Sequence, residues 1–209
     1  MAKYKKGISG PASGKFGSII ASSWREVDYF KSVGRNFKKD PSEKQLLNRA
    51  RFKLVHRFLA LINSSVQLAF ISNPGKRTGR NAAQSHILTE ACILTDTGWK
   101  LDYSKILVSF GSLAPVKDAA VEIIQDGVTI KWNKKAPNNE QMIIAMIDPE
   151  KGLAYERVAE ANRSAGEYTL ELDDRAAPSD YHIYLGTVSI DRKQASNSVY
   201  LGCIQYPLD

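Results

Sequence analysis

Cysteine is scarce in this chain, and so are the residue patterns that announce a metal centre or a reaction. Cys92 and Cys203 are the only two among 209 residues. Neither belongs to a Cys-x-x-Cys pair, and no Cys/His spacing suits structural zinc. Two distant thiols make no disulfide framework, so free, partly buried cysteines are expected. The three histidines, His56, His86 and His182, include no His-x-x-x-His pair. They read as surface or internally satisfied groups rather than ligands. Serine catalysis lacks its Gly-x-Ser-x-Gly elbow. Glu171 with Asp173-Asp174, and Asp148-Pro149-Glu150, read as solvated turns rather than acid–base pairs. No catalytic residue, metal site, cofactor or small-molecule substrate is therefore assigned.

Long apolar runs are missing too. Ile19-Ile20-Ala21 is the longest near the N-terminus. That falls short of the roughly 7–15 apolar residues of a secretory signal and the roughly 18 of a membrane span. The expectation is a cytoplasmic protein, with non-Sec export or virion association as other routes. Gly14-Lys15 superficially suggests a phosphate loop, but Phe16 follows where Ser or Thr is needed. A glycine-rich arm over residues 7–18 is the simpler reading.

What is present is an ordinary globular composition, 43% hydrophobic and 24% charged. A chain of this length buries about two-thirds of its unfolded surface and needs no metal or disulfide to fold. Charge is unevenly distributed. Residues 1–113 carry 19 Lys/Arg against 7 Asp/Glu, net +12. Residues 114–209 carry 10 against 15, net −5. A basic half attracts polyanions or an acidic partner. Its cations fall on arms and loops: Lys3, Lys5, Lys6, Lys15, Arg35, Lys38, Lys39, Lys76, Arg77 and Arg80. Those are candidate polyanion contacts, because phosphate binding needs cations on accessible backbone. The interleaved aromatics Tyr4, Phe16, Tyr29, Phe30 and Phe37 suit base stacking, or else a core.

Hydrophobic periodicity gives the architecture. Residues 16–33 alternate as a β-hairpin with its turn at Arg25-Glu26. A hairpin alone is barely stable and must pack on the following helix or on another chain. Asp40-Pro41-Ser42-Glu43 reads as a helix start with Asp40 as N-cap. Leu46, Leu47, Ala50, Leu54, Val55, Phe58, Leu61 and Ile62 then form one stripe of a helix reaching Ile71 and bending near residues 63–65. A second helix is expected over Asn81–Leu94, and a strand over Tyr103–Phe110. From Pro115 the pattern changes to seven short strands: 120–124, 128–132, 142–147, 153–159, 168–172, 181–189 and 198–204. That is the signature of an antiparallel β-sandwich. The expected fold class is α+β, with a hairpin and two helices over 1–113 and a β-sandwich over 114–209.

Several phrases along the chain carry a resemblance. They are Gly14-Lys15-Phe16-Gly17 with Ser22-Ser23-Trp24, the Asp40-Pro41 helix start with Gln45, Arg49 and Phe52, Asn81-Ala82-Ala83, and Ser196-Asn197-Ser198-Val199-Tyr200-Leu201-Gly202. Together they resemble an uncharacterised bacterial family of unknown function. The second half is separately similar to a fibronectin type III or immunoglobulin-like sandwich. The N-terminal phrases are also similar to those of some phage-derived structural proteins. The resemblance implies architecture and no activity. The combined expectation is a non-enzymatic interaction or assembly protein, self-assembling or bound to a protein partner. Its basic N-terminal half would dock on a partner subunit or polyanion; nucleic-acid binding through that half is the alternative.

Overall fold

The computed structural model describes residues 2–3, 12–24, 27–34, 40–70, 78–134, 140–172 and 178–206. The chain divides into two compact units, Met1–Ser42 and Glu43–Asp209.

The first unit is an antiparallel sheet. Its strands are β1 (Ala2–Lys3), β2 (Gly14–Phe16), β3 (Ile19–Trp24) and β4 (Val27–Ser32), in the order β1-β4-β3-β2. The expected hairpin is its centre: Trp24 pairs with Val27 and Ile19 with Ser32. The turn residues Arg25-Glu26 lie outside the described residues. Gly17 has φ of 58°, which glycine adopts without strain, and closes the β2–β3 turn. Cross-strand partners share a face. One face carries Phe16, Ile19, Ala21 and Phe30; the other carries Lys15, Ile20 and Lys31 in one row, with Tyr29 and Trp24 beyond. Ala21 is the only buried residue among the described residues of this unit.

The second unit has three layers around a central sheet. Helix α1 spans Glu43–Leu61, α2 Asn63–Ala69 and α3 Gly79–His86. The α1–α2 break at Ile62 matches the expected bend. α1 begins at Glu43, two residues past Pro41, so Ser42 rather than Asp40 immediately precedes it; Ser42 and Gln45 have capping-box spacing. The second helix is shorter than its apolar pattern suggests. Thr78 caps α3 by accepting from the Asn81 N–H at 3.1 Å. The helix then widens into a π turn over Ile87–Ala91 and stops. Cys92–Thr95 and Gly98–Leu101 form the hairpin β5–β6, where the helix was expected to continue to Leu94. The expected strand over 103–110 is instead a 3-10 turn, Tyr103–Lys105, followed by irregular chain. Its alternation arises because Ile106 and Val108 both point into the core without forming a ladder.

The seven C-terminal strands form as expected. They are β7 (Ala120–Ile124), β8 (Gly127–Lys131), β9 (Glu140–Asp148), β10 (Leu153–Asn162), β11 (Glu167–Glu171), β12 (Ser179–Ser189) and β13 (Val199–Tyr206). They make two antiparallel sheets, β10-β9-β12-β13 and β11-β8-β7. Along β9, Met142, Ile144 and Met146 join Val128, Ile130, Trp132 and Leu170 in a core between the sheets. The alternate residues Ile143, Ala145 and Ile147 join Val55, Phe58, Leu59 and Ile62 of the helices in a second core. Residues 43–113 and 114–209, set apart by charge, thus share this core. The central sheet is buried on both faces, which explains why β9 reads as a continuous apolar run rather than an alternating one.

Two polar devices hold these layers. Arg163 and Glu140 form a buried ion pair at 2.7 Å, each about 5% exposed or less. Arg163 also donates to the Ala114 carbonyl, and Trp132 Nε1 donates to the Arg163 carbonyl at 2.7 Å. The second device is the Ser196-Asn197-Ser198 phrase. Ser196 Oγ accepts from the Thr187 N–H, Asn197 Oδ1 from the Gly111 N–H, and Ser198 Oγ from the Val108 N–H. These three side chains satisfy backbone donors that a missing ladder would otherwise strand. They clasp the irregular 106–113 segment to the sheet.

Candidate functional site

Of the ten candidate cations, Lys3, Lys15 and Arg80 lie among the described residues. Lys15 is exposed on β2. Lys3 lies on β1, its backbone paired with Tyr29. Lys5, Lys6, Arg35, Lys38, Lys39, Lys76 and Arg77 lie outside the described residues. Arg80 is turned inward, and its Nη1 donates to the Leu59 carbonyl at 3.1 Å and to Asn63 Oδ1 at 2.7 Å. It ties α3 to α1 and α2. Lys31, which was not singled out from sequence, shares the Lys15 row through Ile20. Strand register is the signal that finds it, once the hairpin is drawn.

A cleft of about 470 Å³ opens within the second unit, at the end of the central sheet beside the 148–152 turn. Tyr103, Asp148, Glu150, Asp180, His182 and Cys203 contribute to its walls. Their gathering follows from strand register. His182 is paired with Cys203 on β13 and with Ile147 on β9, and Asp180 with Gln205. The Tyr103 and His182 rings lie 4.1 Å apart. His182 Nδ1 and the Tyr200 hydroxyl hydrogen-bond at 2.8 Å. The Tyr184 hydroxyl donates to the Tyr103 carbonyl at 2.8 Å, anchoring the 3-10 turn. Sequence shows these residues only singly, as a lone histidine, a turn and a free thiol.

The electrostatics favour resting groups. Burial lowers the His182 pKa, although Asp148, Asp180 and Glu150 pull the other way. Burial also raises the Cys203 thiol, and Asp180 and Asp148 add to it, which is opposite to the activation a nucleophile needs. Burial works to raise Asp148. Hydrogen bonds from Ser179, Lys151 and Glu150, with the Lys151 charge, outweigh it and hold the carboxyl below its usual range. Those bonds commit the Asp148 carboxylate to the turn. Cys92 and Cys203 are both free thiols. Among the described residues no three His, Cys, Asp or Glu groups converge as a metal site.

A family model matches residues 10–202, a stretch that covers most of each compact unit. The chain belongs to the family of unknown function DUF6266. In this member the most distinctive phrase, Ser196-Asn197-Ser198, serves as a structural clasp, and Asn81-Ala82-Ala83 forms the capped start of α3. No curated protein matches the chain. Among the described residues no helix is long and apolar enough to cross a membrane.

Proposed function

We propose that the protein is a non-enzymatic interaction and assembly protein whose basic N-terminal half docks on a partner subunit. One observation carries the reading: the N-terminal sheet has almost no core. Among the described residues only Ala21 is buried there, while Phe16 is 58% exposed and Ile19 46%. A 42-residue unit cannot offset its conformational entropy with so little apolar burial. Its apolar face gains that burial by docking. The second unit suits a scaffold. We infer that its sandwich is of fibronectin III type; a three-stranded β11-β8-β7 sheet facing the four-stranded β10-β9-β12-β13 supports this. The cleft lends itself poorly to catalysis, because Cys203 is held protonated, Asp148 is committed to a turn and His182 Nδ1 to Tyr200.

Light scattering on the full chain tests the reading. A mass well above 23.2 kDa, with slowed amide exchange across β2–β4, is expected. A strict monomer at high concentration removes self-assembly. Nucleic-acid binding is the second reading, favoured by the row Lys15-Ile20-Lys31 beside Tyr29 and Trp24. It predicts a mobility shift with DNA or RNA that weakens steeply with salt. No shift at low salt eliminates it.

A further inference from the structure

The second unit is nearly neutral as a whole, but its two ends are not. Residues 43–113 hold 10 Lys/Arg against 4 Asp/Glu, net +6, whereas residues 114–209 are net −5. The helices lie on one face of the central sheet and the β11-β8-β7 sheet on the other. The exposed cations Arg49 and Lys53 therefore lie on the helix side of one compact unit, and Glu122, Glu167 and Glu171 on the outer sheet of the other side.

Each surface also exposes apolar side chains. The stripe that buries Val55, Phe58, Leu59 and Ile62 runs back along α1 into solvent, where residues 43–50 are all exposed. Leu46 is 51% exposed and Leu47 44%. Arg49, Phe52 and Lys53, at three- and four-residue spacing, form an exposed cationic stripe around an aromatic ring. The β5–β6 hairpin extends this layer: the Arg51 guanidinium lies 4.7 Å from the Trp99 ring, and Ile93 and Leu94 are exposed. On the opposite surface, the register sets Ile124, Gly127 and Glu171 in one row, Glu122 in the next, and Glu167 beside Lys131 in the row beyond. Ile124, Glu167 and Glu171 are all exposed. Glu122 is already held by Lys131 at 2.6 Å.

We propose that the helix layer of one copy docks on the outer face of the β11-β8-β7 sheet of a second copy, with Phe52, Arg49 and Lys53 set against Ile124, Glu167 and Glu171. The inference rests on the assembly reading and names the partner as a second copy. Because the two surfaces differ and lie on opposite sides, the contact is heterologous and repeats, giving a ring or a filament. Charge complementarity steers and registers the contact, while the apolar groups supply burial.

Sedimentation of the full chain across concentration and salt is the test. The mass should rise with concentration and fall with added salt. Arg49→Glu with Lys53→Glu should weaken association by about tenfold or more, and so should Glu167→Lys with Glu171→Lys. All four positions are exposed, so circular dichroism should stay unchanged. Mixing the two double variants should restore association beyond a pair, since the unaltered faces fit one another and the two charge-reversed faces are again complementary. Oligomers indifferent to both double variants overturn this surface and leave assembly standing. A mixture that forms no pair overturns the head-to-tail arrangement. A monomer under all conditions overturns both this contact and self-assembly.

Discussion

The N-terminal sheet and the central sheet are both four-stranded and antiparallel, yet they differ in what covers them. β9 runs seven consecutive residues, Met142 to Asp148, in the buried class. Its neighbours on one face are helices, and on the other the second sheet of the sandwich. Among the described residues of the N-terminal sheet one alanine is buried. The same backbone architecture is therefore a buried floor in one place and, among the described residues, almost uncovered in the other. Strand pairing alone does not decide which; the apolar residues available to cover each face do.

The largest effect should come from breaking the central sheet where it holds buried charge. Removing either partner of the Arg163–Glu140 pair leaves an uncompensated ion beneath the sandwich. Glu140→Ala is expected to cost about 3–5 kcal/mol, measured by urea unfolding. A loss below about 1 kcal/mol would mean that water reaches the pair and that this end of the sandwich is open.

Helix α1 contains the same contrast within one element. Phe58→Ala removes a ring that packs against Tyr103 at 6.0 Å between centroids, in a fully buried site. A cost of about 3–5 kcal/mol is expected. Leu46→Ala, twelve residues earlier on the same stripe, should change the stability of a dissociated chain by less than about 0.5 kcal/mol. Equal costs would show that the first turns of α1 are covered within a single copy.

This contrast also explains what was legible beforehand. Short strand-like runs with turn signals between them located all seven sandwich strands, including β9, whose apolar run does not alternate. The helical stripe of α1 was equally plain, yet periodicity could not tell which half of it meets a core. The 103–110 segment misled because Ile106 and Val108 alternate inward like strand residues, while the Ile106 N–H donates to the Tyr103 carbonyl and the Val108 N–H to the Ser198 hydroxyl rather than to a neighbouring ladder. The cleft was illegible for a different reason. His182, Cys203 and Asp148 are far apart in the chain and meet only through the β9-β12-β13 register.

A smaller effect should appear at the open end of the central sheet, on acidification. Burial lowers the His182 pKa in the folded chain, so the unfolded chain binds a proton first as pH falls. The stabilising contribution is full above the unfolded value of about 6.5 and is lost as pH falls through the lowered folded value. Asp148, also lowered, adds a loss at more acid pH, beginning below its unfolded value of about 3.9. His182 is part-exposed, so the effect is modest. The thermal midpoint should fall more between pH 7.5 and 5 in the wild type than in His182→Gln. Equal falls would show that the ring is solvated in the folded chain.

The smallest effect on folding should come from the N-terminal sheet, although its effect on assembly is the larger one. Ile19 is 46% exposed and joins no buried core in a single copy. Ile19→Ser should therefore shift the unfolding midpoint of the second unit by less than about 0.5 kcal/mol equivalent. If the apolar face of this sheet gains its core by docking, the same substitution removes part of the buried area at that contact. It should lower the assembled mass measured by light scattering at fixed concentration. A variant that assembles like the wild type would place the docking surface elsewhere. It would leave this coreless sheet to be explained by its other face, where Lys15 and Lys31 flank Ile20 and await an anionic partner.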